Sequence, residues 1–168
     1  MSKNSIWVCM EQTGGKIAGV SYEMLSEARK LADQTSGEVC AVLLGSQVKD
    51  QAESAFAYGA DKVYVCDDEK LKDYRTEPYC QVLENLVKEH QPDTLLLAAT
   101  TNGRDLSARL ASRLEAGLAA DCVALSLEDG QLVATRPIYG GNLMADVVFP
   151  EKRPAMCSIR PNALSKSE

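Results

Sequence analysis

With 168 residues, the chain has the size of one ordinary domain, and its 45% hydrophobic and 25% charged residues are typical of a folded globular protein. Its net charge of −6 disfavours a nucleic-acid partner, because phosphate binding requires surplus Lys and Arg. No apolar run approaches the roughly 20 residues of a membrane helix, and the first residues lack a signal peptide's apolar region, so we expect no membrane association and a cytoplasmic location.

The first two-thirds of the chain alternates short apolar runs with helical segments. The apolar runs cover residues 6–10, 39–44, 63–66 and 94–99. Runs that are almost continuously apolar are typical of strands buried on both faces of a parallel sheet. Because such strands alternate with helices, we predict an α/β fold with a doubly wound, mostly parallel sheet flanked by helices.

Four helices are predicted from apolar residues that recur three and four positions apart. In chain order their apolar stripes are Met24, Leu25, Ala28, Leu31 and Ala32; Val48, Ala52, Ala55 and Phe56; Tyr79, Val82, Leu83, Leu86 and Val87; and Leu106, Leu110 and Leu114. Ser21 is the predicted N-cap of the first helix and Gly37 its stop. The fourth helix is predicted over residues 102–115.

The last third predicts antiparallel hairpin strands. Apolar runs at residues 122–127 and 132–136 flank Asp129-Gly130, a dipeptide that favours tight hairpin turns. Further strands are predicted at residues 143–149 and 154–160, whereas residues 161–168 are polar and are expected to be untethered. The predicted organisation is a single domain over residues 1–161, followed by the start of a linker or a trimmed boundary at 162–168.

Cysteine and histidine usage disfavours catalysis and metal binding. The six cysteines are scattered without a C-x-x-C pair, so we expect reduced structural thiols. His90 is the only histidine and is predicted to close a helix, which leaves no Ser-His-Asp or Cys-His arrangement and no metal cluster. We therefore predict no catalytic residue and no metal ligand.

The most informative loops lie where two predicted strands end. A strand order of 3-2-1-4 would open a crevice between the first and fourth strands, bordered by residues 11–16 and 100–105. Asn102 and Gly103 begin a helix there, so their backbone N–H groups could receive an anion. Arg104 opposes the helix dipole and is explained either by a nearby carboxylate such as Asp105 or by an anion or partner subunit.

Several motifs in this region resemble one known family. The first of these motifs is the run Ala99-Thr100-Thr101-Asn102-Gly103-Arg104-Asp105-Leu106. The other motifs lie at residues 108–111, 117–118, 120–122, 136–137, 139–145 and 153–161. In order and spacing these motifs are similar to those of electron-transfer flavoprotein alpha subunits, over nearly the whole chain. The resemblance implies the amino-terminal domain of such a subunit, with an adenine-nucleotide alpha-hydrolase-like fold. The family's carboxy-terminal domain, with its FAD signatures, has no counterpart in this sequence.

The resemblance also implies partners and a cofactor. It implies FAD in the intact complex and none in the isolated domain, a beta subunit as partner, and dehydrogenases that act through the complex; a homodimer of the isolated domain stays open. It places Arg160 close to the beta subunit, where it could bind the flavin or its phosphates, although a local carboxylate such as Glu11 would also explain it. Asn102, Gly103, Arg104 and Arg160 are the candidate cofactor-binding residues.

The sequence is compatible with two functions of different classes. The first is a scaffold domain that binds a partner in an electron carrier and has no active site of its own. The second is a stand-alone adenine-nucleotide-binding module, which the absence of a phosphate-binding glycine loop disfavours. The first function further predicts an exposed apolar surface within residues 122–160, because edges of a small antiparallel sheet need covering.

Overall fold

The computed structural model describes residues 4–167 and contains eleven strands and four α-helices in that range. In chain order the strands are β1 (Ser5–Met10), β2 (Gln12–Thr13), β3 (Lys16–Ile17), β4 (Glu38–Gly45), β5 (Lys62–Asp67), β6 (Thr94–Ala98), β7 (Leu118–Cys122), β8 (Ala124–Glu128), β9 (Gln131–Ile138), β10 (Leu143–Val148) and β11 (Ala155–Ile159). The α-helices are α1 (Gly19–Thr35), α2 (Glu53–Ala57), α3 (Thr76–His90) and α4 (Thr101–Leu114). Short 3₁₀ helices cover Lys49–Gln51, Glu69–Leu71 and Tyr139–Gly141.

Six strands form one parallel sheet in the order β5-β4-β1-β6-β11-β7. The four strands predicted from the apolar runs keep their predicted order of 3-2-1-4, and the predicted final strand pairs beside the fourth. Strand order reverses between β1 and β6, so the crevice of this doubly wound sheet lies at the carboxyl ends of those two strands. The predicted fold class is confirmed.

The core has two layers because successive side chains of a strand point to opposite faces. In β1, Ile6 and Val8 pack with α1 on one face, whereas Trp7 packs with α3 and α4 on the other. All three side chains are at most 2% exposed. Almost continuous apolar sequence in the central strands is therefore explained by burial on both faces.

Helix α1 departs from its predicted ends. It begins at Gly19, so Ser21 lies inside the helix, where its hydroxyl oxygen accepts a hydrogen bond from the Glu11 N–H at 2.9 Å. The prediction of Ser21 as N-cap was wrong, since its hydroxyl serves the neighbouring loop instead. The left-handed residue after the helix is Ser36, at φ +52, and Gly37 follows it. Gly37 is required for space, because a Cβ there would lie 2.4 Å from the Asn4 carbonyl oxygen.

The second predicted helix is only partly formed. Residues Lys49–Gln51 form a 3₁₀ turn, and α2 adds five residues after it. Ala55 is fully buried as its apolar stripe requires, but Phe56 is 51% exposed. The prediction that Phe56 belongs to the buried stripe was wrong, because the helix is too short to present a complete second turn to the sheet.

The last third forms the predicted antiparallel strands. Strands β8, β9 and β10 make a sheet in the order β10-β9-β8. Asp129 and Gly130 form the two-residue turn between β8 and β9, with φ values of +50 and +77. A two-residue hairpin turn of type I′ requires positive φ at both positions. Leu125, Leu132 and Ala134 of this sheet pack into the same core layer as α1.

Residues after β11 contact α1, which corrects the expectation of an untethered end. Glu23 accepts a hydrogen bond from the Asn162 N–H at 3.3 Å, and Ser26 exchanges two hydrogen bonds with Ser167 at 3.0 and 3.1 Å. Leu164 packs against the α1 core layer. Glu168 lies outside the described residues. The division into a domain at 1–161 and a linker or boundary at 162–168 stays a prediction.

Most of the cysteines are buried in the core. The six thiols are free, and all except Cys66 are buried. Burial raises the pKa of Cys9 to about 12, so this thiol stays protonated at neutral pH and behaves as a small apolar side chain. None of the helices within residues 4–167 combines the length and the apolar character needed to cross a membrane.

Candidate functional site

The carboxyl ends of β1 and β6 are joined by one short hydrogen bond. The Thr100 hydroxyl donates to the Glu11 carboxylate at 2.6 Å and accepts from the Gly103 N–H at 3.1 Å. Thr100 is thus the N-cap of α4, and it also connects the two loops that border the crevice. The helix begins here because this hydroxyl satisfies one of its free N–H groups.

The crevice between these strands is almost filled on the side of α3 and α4. Its remaining cavity has a volume of about 40 Å³ and is lined in part by Tyr74, Tyr79 and Asn102. The Tyr79 hydroxyl donates to the Leu71 carbonyl oxygen and accepts from the Gln12 amide at 3.4 Å, which holds the ring in place. Ligand pockets usually measure about 300–1,000 Å³. This side of the crevice is therefore too small for an adenine nucleotide in this conformation, whereas an open pocket of about 500 Å³ borders Thr100 and Gly19 at the start of α1.

Gly103 brings α4 close to the end of β6. A Cβ at this position would lie 1.8 Å from the Ala98 carbonyl oxygen, so no other residue fits without movement of the backbone. Its N–H is already bonded to Thr100. At the predicted anion site of Asn102 and Gly103, the helix end is therefore already capped, and little space remains for an anion.

Two arginines contact a single carboxylate at the other half of this edge, and the charge of a third acts on it. Arg160 donates two hydrogen bonds to Asp121, at 2.6 and 3.1 Å, and Arg104 lies 3.6 Å from the same carboxylate. Hydrogen bonding from Arg160, then the charges of Arg160, Arg104 and Arg136, hold the pKa of Asp121 below its usual value. We call Arg104, Arg136 and Arg160 the arginine cluster; with Asp121 it carries an excess of positive charge.

An irregularity of strand pairing places Asp121 there. The register between β7 and β11 shifts between Cys157 and Ile159, and Asp121 has φ +60. Its N–H donates to the Ser158 hydroxyl at 2.9 Å, which satisfies a group that the ladder leaves free. Such irregularities turn a side chain away from its regular direction, and here the carboxylate reaches both Arg104 and Arg160.

Asp121 is the residue of this arrangement that the sequence analysis did not identify as the partner of Arg104 and Arg160. The nearby carboxylates proposed for Arg104 and Arg160 were Asp105 and Glu11, but Asp105 accepts from Tyr74 and Thr76 and Glu11 accepts from Thr100. The available signal was an acidic residue at the end of an apolar strand, where it must find a cation or water.

The four candidate cofactor residues fall into two groups. Asn102 and Gly103 line the small crevice between β1 and β6. Arg104 and Arg160 face Asp121 at the ends of β11 and β7. The Arg104 and Arg160 side chains are 62% and 47% exposed, so both guanidinium groups remain accessible to a partner or an anion.

His90 lies where the sequence predicted, at the last residue of α3. Its ring packs against Tyr64 and Trp7, with centroid distances of 4.8 and 5.8 Å. Within residues 4–167, no three His, Cys, Asp or Glu side chains are placed to hold a metal ion. His90 thus has a packing role at the amino end of β1, far from the arginine cluster.

The predicted apolar surface in the last third is confirmed. Large hydrophobic side chains of residues 4–167 are exposed mainly on the β9–β10 hairpin, at Tyr139, Leu143, Met144 and Val148, which are 55–77% exposed. A fifth, Phe56, lies on α2 beside the opposite edge of the parallel sheet. Exposed apolar side chains that cluster in this way are typical of an interaction surface.

Comparison with known proteins gives a family match over most of the chain. The family described as "Electron transfer flavoprotein domain" matches residues 6–168. "Electron transfer flavoprotein subunit alpha" of Thermoanaerobacterium thermosaccharolyticum is 46% identical over 163 residues, which are 96% of this chain and 49% of that protein. "Protein FixB" of Clostridium saccharobutylicum is 45% identical, over 96% of this chain and 48% of its own length.

A further relative carries a different name. "Acryloyl-CoA reductase electron transfer subunit beta" of Anaerotignum propionicum is 40% identical, over 99% of this chain and 52% of that protein. The chain therefore spans about half the length of the curated relatives it matches.

Proposed function

Because this chain belongs to the electron transfer flavoprotein domain family, we propose that it is the amino-terminal scaffold domain of an alpha subunit and pairs with a beta subunit in a flavin-dependent electron carrier. The observation that carries the proposal is 46% identity to an electron transfer flavoprotein alpha subunit over 96% of this chain. The exposed apolar side chains of the β9–β10 hairpin support a partner-binding role.

In this function the domain is an electron-carrier component and performs no reaction by itself. FAD supplies the redox chemistry of the complex, and dehydrogenases are the partners that exchange electrons with it. The crevice between β1 and β6, at about 40 Å³, does not fit a flavin ring. Arg104 and Arg160 do fit an anionic group of a flavin held outside this domain, because both guanidinium groups are accessible and arginine donors match phosphate oxygens.

The alternative, a stand-alone adenine-nucleotide-binding module, is disfavoured by the small α3–α4 side of the crevice and by the lack of a phosphate-binding glycine loop in the sequence. Tyr79 and the bond between Thr100 and Glu11 occupy the place where strand order reverses. Titration of the purified chain with AMP is expected to release no heat of binding. Stoichiometric binding of AMP would instead favour the module.

The proposed function predicts a complex with a beta subunit. When this chain is mixed with the beta subunit from the same organism, we expect one species with one copy of each in size-exclusion chromatography with light scattering. The free chain is expected to show no flavin absorbance, since the family's flavin-binding signatures have no counterpart in this sequence. Separate elution of the two proteins, or one flavin per free chain, would contradict the proposal.

Replacing Arg160 with Ala is expected to alter the flavin of the complete alpha–beta complex. The variant removes a guanidinium that is 47% exposed at the carboxyl edge. We expect lower FAD occupancy and a more negative reduction potential, because a positive charge near the flavin stabilises its anionic reduced forms. Absorbance and redox titration measure both quantities.

Arg109→Ala is the matched control, since Arg109 pairs with Glu77 between α3 and α4 and lies away from the edge. If Arg160→Ala has the flavin content and potential of the unmodified complex, Arg160 serves only its ion pair with Asp121.

A further inference from the structure

The end of the β9–β10 hairpin lies beyond the carboxyl edge of the parallel sheet. Gln131, at the start of β9, lines a cavity with Asn4 and Asp93 at the amino end of that sheet. Further along, Thr135 accepts at its carbonyl oxygen from the Val123 N–H, immediately after β7. At roughly 3.3 Å per residue, Ile138, the last residue of β9, then extends about 10 Å past the last residues of β7. We call residues 138–144 the hairpin tip.

The apolar side chains of the tip are exposed because the tip extends beyond the core layer against which the rest of the hairpin packs. Leu143 is opposite Ile138, and Ala145, two residues on, is opposite Arg136, so Leu143 and Arg136 share one face of the hairpin. Nearer the core, Val147 on that face packs against the α1 layer. Leu143 has passed the edge of that layer, which explains its 55% exposure.

The arginine cluster lies beside the tip and has donors to spare. Arg160 uses two of its N–H groups on Asp121, but Arg104 approaches the same carboxylate only to 3.6 Å. The Nε of Arg136 also meets no acceptor among the described residues, but it is buried, so the donors that a partner can reach belong to Arg104 and Arg160. Two guanidinium groups thus share the Asp121 carboxylate, and the charge of a third, Arg136, acts on it, on a chain whose net charge is −6.

We propose that the hairpin tip and the arginine cluster form one docking surface for the beta subunit, whose matching surface is an apolar recess flanked by carboxylates. This inference rests on the proposed function. Tyr139 and Met144 are residue types that are enriched at interfaces, where they fill pockets. Leu143, on the face of Arg136, and Arg104, whose side chain is 62% exposed, add apolar area and an accessible charge at this edge, and complementary charge guides association and fixes orientation.

A second copy of this chain fits the surface less well. Symmetric pairing of two copies places the same patch on both sides of the axis. The arginines of one copy would then have to find carboxylates on the same patch of the other, where Asp121 is already bonded to Arg160. An acidic heterologous partner removes this conflict.

The docking surface is tested by binding of the beta subunit to the unmodified full chain and to three variants of it. Biolayer interferometry at low and high salt measures the affinity and the association rate. The tip variant is Leu143→Ser with Met144→Ser, the charge variant is Arg104→Ala, and Phe56→Ser is the control, since Phe56 is 51% exposed beside the opposite edge of the sheet. All three variants are expected to keep the melting temperature of the unmodified chain, because the replaced side chains are exposed.

We expect the tip variant to bind about 30-fold more weakly, as loss of interface anchors does. Arg104→Ala is expected to associate more slowly with a weaker dependence on salt, and Phe56→Ser to bind like the unmodified chain. Unchanged affinity of the tip variant would overturn the docking surface and leave the proposed function standing. If the unmodified chain does not bind the beta subunit, both fail. A dimer of this chain that the tip variant dissociates would assign the surface to a second copy.

Discussion

Gly103→Ala is expected to destabilise the chain by about 3 kcal/mol, at the upper end of the usual cost of overpacking. The added Cβ would lie 1.8 Å from the Ala98 carbonyl oxygen, so the first turn of α4 would have to move away from β6. That movement also lengthens the hydrogen bond from the Gly103 N–H to Thr100. For a domain of this size the melting temperature should fall by about 6–12 °C, which calorimetry measures.

Gly19→Ala is the matched control for this substitution. Gly19 is also in the first turn of a long helix, but a Cβ there meets no atom within 4 Å. Alanine is the better helix former, so this variant should melt at the same temperature as the unmodified chain or slightly above it. If Gly103→Ala melts together with the control, α4 does not approach β6 as closely as described.

Leu83→Ala is expected to cost about 3 kcal/mol, within the range of about 2–5 kcal/mol for truncation of a fully buried leucine. Leu83 lies in the middle of α3 and is 0% exposed in the core layer that contains Trp7. The expected result is a lower urea midpoint with an unchanged slope, since the unfolded chain exposes a similar surface.

Leu86→Ala provides the comparison within the same helix. Leu86 contacts the same core layer but is only partly buried, so we expect a loss of about 1 kcal/mol. Equal losses at the two positions would show that α3 is rotated relative to the sheet, and would contradict the assignment of its buried face.

Much of the fold could be predicted because its signals are local. Buried parallel strands leave continuous apolar runs, as in residues 39–44, and Asp129-Gly130 marks a tight turn by the backbone angles those residues tolerate. Helix ends were less predictable. Ser21 is a good capping residue in isolation, yet its hydroxyl bonds to Glu11, a neighbour that only the folded chain provides.

The candidate site was predicted only in part. Arg104 and Arg160 were singled out as cations at strand and helix ends, and the structure places both at the carboxyl edge. Their shared partner, Asp121, lies 17 residues from Arg104 and 39 residues from Arg160 in sequence. No periodic pattern connects residues at such separations, so the pairing could not be read from the chain.

The sequence by itself therefore determined the strands β1, β4, β5, β6 and β11, the helices α1, α3 and α4, most of the buried side chains, and the family to which the chain belongs. The tertiary structure alone decided that β11 pairs between β6 and β7, and this order brings Arg160 beside Asp121. It also decided that Tyr79 fills the crevice and that the hairpin tip extends past the sheet. The physical reason is that periodicity reports the burial of each side chain, whereas strand order and register decide which distant side chains meet.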